Sequence, residues 1–222
     1  MTQTADTTPD VIDLLTGITP GDRLDTLRRH RLQARTHAQQ SYLALFEPQA
    51  PQPGRFSLAD RQAVAAFVAG LHQQPDATAF YNAALAAEGA RQARPGVPQA
   101  IAAEVVRGAA RGPYGNYPPG PLSEEDTAGP AYHVGDAQRA VLGAPLSAAL
   151  EHAHLLTLHP RDASPAALQA LLDAGWRTTE IVTLSQLVAF LAFQIRVVAG
   201  LRALAAAPAH TGNQASSETT QA

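Results

Sequence analysis

From Thr178 to Ala207 hydrophobic residues follow one another almost without a break, and the few polar positions define how such a segment folds. Ser185, Ala189, Ala192, Arg196, Ala199, Gly200 and Ala203 recur at short, mostly three- or four-residue steps, which places them on one face of a helix. Ile181, Leu184, Leu187, Val188, Phe190, Leu191, Ile195, Val197, Val198, Leu201 and Leu204 cover the rest. A helix that is apolar on nearly every side is expected to be buried on most of them. Its small-residue face admits a close neighbour. Arg196 in the middle of that face then needs a carboxylate, a carbonyl or a bound anion, because burying a lone guanidinium is costly. A structural ion pair, or a stem that snorkels to the surface at a subunit boundary, meets the same need. Ser185, Gln186, Gln194, Arg196 and Arg202 interrupt the run, so it reads as a soluble core helix and not as a membrane span.

The helical period continues upstream. A segment opening at Pro20 or Asp22 runs to about Phe46, with Leu24, Leu27, Arg31 and Ala34 on its stripe, until Glu47-Pro48 and the Pro51 to Gly54 run break it. Ser57 with Asp60 three residues on resembles a capping box, and leads into a helix with Val64, Phe67, Val68 and Leu71 inward. Pro75 suits the first turn of a helix reaching about Glu88, and a short helix covers Gln99 to Arg107. Further on, helices run from Pro145 to about Leu158 and from Ser164-Pro165 to Gly175, and Trp176 leads into the long apolar helix. No strand signal of useful length and no internal repeat appears. The expected architecture is all-α and single-domain. Residues 1–18 form a disordered or loosely attached segment, 19–207 the helical domain, and 208–222 a disordered polar tail. An irregular loop at 112–133, rich in proline and glycine, holds three of the five tyrosines. It reads as a pocket cover, a reach over a neighbouring subunit, or ordinary surface.

With 222 residues and 45% hydrophobic content, one sizeable core is affordable. The 16 basic and 19 acidic residues leave a net charge of −3 with no basic block, which argues against nucleic acid as a partner. Every basic residue is Arg, so Schiff-base chemistry and lysine phosphate cradles are excluded. Cysteine is absent, and with it any disulfide, thiolate nucleophile or sulfur-ligated metal. The polar N-terminus lacks the features of a secretion signal, so a cytoplasmic location is expected.

The run from Leu158 to Leu204 resembles the helical hairpin of the carboxymuconolactone decarboxylase and alkylhydroperoxidase D-like superfamily. The carrying residues are Leu172, Gly175-Trp176, Glu180-Ile181, Gln194 with Arg196, and Gly200-Leu201. The stretch Leu58 to Leu85 is similar to the superfamily's catalytic segment, and peroxidase-related members are the nearest in pattern. The thiol members carry a Glu twelve residues before a Cys-x-x-Cys pair and a His four residues after it. Here Gln62 stands at the Glu, Gln74 and Ala77 at the cysteines, and Tyr81 at the His. Positions 74, 77 and 81 share a helical face. Hydroperoxide reduction needs one thiolate to attack and a second to resolve, so this chain cannot perform it by that route.

The resemblance implies an alkylhydroperoxidase D-like fold and a homo-oligomer, and leaves two classes of function. One is a non-catalytic scaffold or binding subunit, partnering a thiol-bearing relative, and loss of all four reactive groups favours it. The other is an acid-base enzyme on a small carboxylate or lactone. There Arg196 would anchor the anion, and His72 or Tyr81, with Asp60 nearby in sequence, would handle the proton. His72 also reads simply as a polar residue at a helix C-terminus, and Tyr81 as a core-edge residue. No cofactor is implied. His152, His154 and His159 invite a metal reading, yet His152 and His154 point to nearly opposite sides of a helix. Glu151 with His154 supplies only one Glu-x-x-His where a di-iron bundle needs two, so no metal is expected.

Overall fold

In the computed structural model, which describes residues 9–49 and 56–207, α4 (Leu58–Leu71) is the axis around which the other helices pack. Ser57 caps it by accepting from the Asp60 N–H at 3.2 Å, as the spacing predicts. Of its fourteen residues, all but Leu58 and Asp60 are buried. It is built largely of alanine, valine and glycine, and such short side chains let neighbours approach on every side. A Cβ on Gly70 would lie 2.5 Å from Val105 on α6 (Gly96–Gly108), so this contact accepts only glycine without movement. Around α4 lie α5 (Pro75–Arg91), α6, α7 (Asp136–Leu158) and α9 (Thr178–Ala206), sharing one core that includes Phe67, Tyr81, Ile101, Leu150 and Leu191. Helix α8 (Pro165–Asp173) is capped by Ser164 and ends at Gly175, whose φ of +90° suits glycine. Trp176 then donates from Nε1 to the Pro145 carbonyl at 2.9 Å. The structure is all-α: helix accounts for 73% of it, and among the described residues there is no strand, only an isolated bridge between Gly115 and Thr127.

The boundaries differ in instructive places. The segment expected to run unbroken to Phe46 is two helices, α2 (Arg23–Arg29) and α3 (Leu32–Phe46), separated at His30 and Arg31. Helix α7 begins at Asp136 rather than Pro145, because the chain turns at Gly143 (φ +79°) and Pro145 sits in the first turn after the kink, where a missing N–H costs nothing. Residues 9–18 are not loosely attached. Asp10 caps α1 (Val11–Thr16), and Val11, Ile12 and Leu15 pack with Leu24, Ala38, Val198 and Leu201 in a second, smaller core. Arg28 and Arg35 pair with Asp10 and Asp13, and Arg35 also with the buried Asp25 at 2.9 Å. Arg202 of α9 donates to the Leu15 carbonyl. Carboxylates spaced three apart around basic residues thus convert a polar-looking terminus into a docked one. The stretches 1–8 and 208–222, expected to be disordered, and the Pro51 to Gly54 break lie outside the described residues.

By length and composition α9 is apolar enough to cross a membrane, and half of its most apolar stretch is buried against the other helices. The buried half carries the bulky residues Leu184, Leu187, Leu191, Ile195 and Val198. Val182, Gln186, Ala189, Phe193, Arg196 and Gly200 face outward instead. The small-residue face was therefore not the one to meet a neighbour within the chain. Burying a leucine removes far more apolar surface from water than burying an alanine, so the bulky side wins the core.

Candidate functional site

His72 ends α4, its N–H bonded to the Val68 carbonyl at 3.1 Å, and its ring enters a crevice of about 480 Å³. Gln73, Gln74, Arg111, Thr157 and Arg196 supply the other polar lining, with Leu71 and Leu158 beneath them. Arg196 is not buried as the periodicity predicts. It stands exposed on α9, where its Nη1 donates to the Ala192 carbonyl one turn back at 3.1 Å. Among the described residues neither Arg196 nor Arg111 pairs with a carboxylate, and no acidic residue lines the crevice. Asp76, two residues beyond Gln74 on α5, is taken by Arg202. The His72 Nε2 is buried without a hydrogen-bond partner. Burial, reinforced by the Arg196 charge, pushes the imidazole down to about 4, so it is uncharged near neutrality. Two guanidiniums without a carboxylate partner thus stand at one opening with an imidazole nitrogen that has no hydrogen-bond partner.

The other expected participants lie elsewhere. Tyr81 is fully buried on α5, and its hydroxyl donates to Gln194 Oε1 at 2.5 Å while its ring packs on Phe80 and Phe46 at 5.0 and 5.5 Å. Burial, with Tyr42 close by, raises its pKa far above the ordinary phenol value. It is a core hydrogen-bond donor, out of reach of the crevice opening. Asp60 belongs to the opposite end of α4, about 18 Å from His72 at 1.5 Å per residue. There it accepts from the Ser57 hydroxyl at 2.8 Å and from Arg94 at 3.0 Å. Of the four positions matching the dithiol site, Ala77 and Tyr81 are buried on α5, and Gln62 is buried on α4 with its Oε1 unpartnered. Gln74 is exposed, because it is the residue before the first helical turn and does not yet follow the helical face. The structure thus unites His72 with Arg196 and Gln74, and separates them from Tyr81 and Asp60.

Sequence reasoning missed Arg111, which belongs to a segment without periodicity, and the role of Gln194, whose burial follows from Tyr81 across the core. His152, His154 and His159 line a different cavity, and among the described residues no group of three His, Cys, Asp or Glu is placed to hold a metal ion. Compared with known proteins, the chain matches no family model, no curated protein and no solved structure.

Proposed function

We propose that this chain is a cysteine-free binding protein of the alkylhydroperoxidase D-like type, whose crevice between α4, α9 and the segment at 110–113 holds a small carboxylate. Arg196 and Arg111 contact the carboxylate oxygens, and the His72 ring, uncharged when the crevice is empty, gains a proton or turns an N–H toward the anion as it enters. The single observation that carries this reading is the pair of arginines without carboxylate partners beside a buried, unsatisfied imidazole nitrogen. The acid-base enzyme reading, on a small carboxylate or lactone, retains His72 alone of its three proton carriers, which is why a binding role is preferred. Assembly into a homo-oligomer, or beside a thiol-bearing relative, is part of the same proposal. The outward stripe of α9, where Val182 and Phe193 are half exposed, supports it.

Isothermal titration with succinate tests the proposal. Binding is expected with proton uptake, visible as a heat that varies with the buffer, and is expected to weaken at least tenfold in Arg196→Gln. Equal succinate affinity in wild type and variant, or no binding at all, defeats it.

A further inference from the structure

A second cavity lies beyond the segment at 110–114, bounded by α7, α8 and the 129–133 stretch, with a volume of about 430 Å³. The last residues of α7 separate the two openings: Leu158 borders the crevice and His159 the cavity. His159 Nδ1 lies 3.1 Å from Asp162 Oδ2, and the other oxygen of Asp162 accepts from the Asn116 N–H at 3.0 Å. A proton on Nδ1 is therefore committed to the carboxylate. In the uncharged ring this leaves Nε2 as an acceptor, and Nε2 is buried with no partner. The ring is held in place on its faces and edge. Tyr114 lies over it at 5.1 Å, and a Cβ on Gly129 would fall 2.7 Å from its Cε1, so the loop rests directly against the imidazole. His152, 94% buried by its 6% exposure, also lines the cavity, and its Nδ1 has no partner.

The rest of the lining selects among ligands. Leu155, Leu171, Ala131 and Ala148 form an apolar wall, and the His154 ring, stacked on Tyr132 at 4.4 Å and 18°, extends it. No arginine borders the cavity, whereas Glu151 and Asp162 do, so an anion is repelled. Glu151 already accepts from Arg139 at 2.5 Å and the Val134 N–H at 2.9 Å, and Asp162 from His159 and Asn116, so an ammonium group would have to displace a partner that each carboxylate already holds. What the cavity offers a ligand is an apolar wall beside an unpartnered acceptor nitrogen.

We propose that this cavity binds an uncharged phenol-class molecule, its ring against the apolar wall and its hydroxyl donating to His159 Nε2. Asp162 is a positioning residue: it fixes the tautomer that makes Nε2 an acceptor. The cavity is also a second site, independent of the anion crevice.

Titration with phenol and with anisole, which has the same ring but no hydroxyl donor, followed by ligand-observed NMR, separates the hydrogen bond from mere apolar burial. Phenol is expected to bind about tenfold more tightly than anisole, the value of one well-placed neutral hydrogen bond. Benzylamine and benzoate are expected to bind more weakly than phenol at this site. His159→Phe is expected to lose that preference while melting as a folded protein. Should that variant fail to fold, Ala148→Phe, which adds bulk to the cavity wall without removing a polar group, is expected to abolish phenol binding. Equal binding of phenol and anisole, stronger binding of benzylamine, or phenol binding that survives Ala148→Phe overturns the proposal.

Discussion

Helices α4 and α7 both end on a histidine, His72 in one and His159 in the other, and the surroundings give the two rings opposite characters. His72 meets no carboxylate in its crevice, so burial, reinforced by the Arg196 charge, keeps its ring uncharged. His159 meets Asp162, which accepts from one ring nitrogen and leaves the other buried without a partner beside an apolar cavity. The comparison teaches that a helix-end histidine is read from what packs over the helix end. Local sequence says little on this: Arg196 and Arg111 for one ring and Tyr114 for the other come from distant elements or irregular chain, and only Asp162, three residues from His159, is close in sequence.

The largest expected effect is on the cationic side. Arg196→Glu places a carboxylate where the crevice has none, and is expected to weaken succinate about 100-fold, or 2.7 kcal/mol. Phenol binding in the neighbouring cavity is expected to be unchanged. Loss of both ligands would show that the two openings are one site and dissolve the comparison.

Next comes the acid limb of stability. His72 has a folded pKa of about 4 against 6.5 in a solvated chain, so the unfolded state takes a proton that the folded state refuses. Its contribution is complete above pH 6.5 and is lost as pH falls toward 4. His152 and His154, both lowered by burial, act in the same direction. Asp162 acts in a different window. The Asn116 N–H, with help from His159, lowers its carboxyl, so its contribution is complete above the usual 3.8 and is lost below it. Denaturant unfolding between pH 7 and 4.5 is expected to show wild type losing about 2 kcal/mol more than His72→Gln. Parallel curves for the two proteins would mean that His72 is not held uncharged by its surroundings.

Much of the frame was legible because its signals are local. Ser57, Pro75, Ser164 and Gly175 begin or end helices where their chemistry says they should, and the inward residues of α4 follow from periodicity. What misled was the burial of Arg196. Periodicity shows that a helix has a small face and a bulky face, and the choice of which one meets the core belongs to the whole fold. The polar residue that α9 buries in its middle is Gln194, two positions away, where Tyr81 arrives across the core to donate to its Oε1. The docked N-terminus was hidden for a related reason: its carboxylates look like solvent-facing residues until Arg28 and Arg35 are brought to them. For the site, His72 and Arg196 were found by residue chemistry, whereas Arg111 belongs to irregular chain, and the local His159–Asp162 pair gains its cavity only from the loop packed against it.

Tyr81 sharpens the boundary between core and crevice. In Tyr81→Phe the Gln194 Oε1 loses its donor in a fully buried place, and the expected cost is about 1–2 kcal/mol of stability in thermal or denaturant unfolding. Succinate affinity is expected to stay within twofold of wild type, since the hydroxyl faces the core. A large loss of affinity without loss of stability would return Tyr81 to the site.

The smallest expected effect separates the two histidines by salt alone. The crevice attracts its ligand through exposed guanidiniums, and exposed charges are screened as the Debye length shortens from about 14 Å at 50 mM to about 8 Å at physiological ionic strength. Succinate is therefore expected to bind about threefold more weakly at the higher salt. Phenol in the His159 cavity carries no charge and meets an acceptor nitrogen and an apolar wall, so its affinity is expected to be the same at both. Titrating each ligand in sodium chloride reads the difference directly. A phenol affinity that falls with salt would show a charge acting in a cavity whose lining offers no cation, and an unscreened succinate would place the anion away from Arg196 and Arg111. The two rings would then differ less than their neighbours imply.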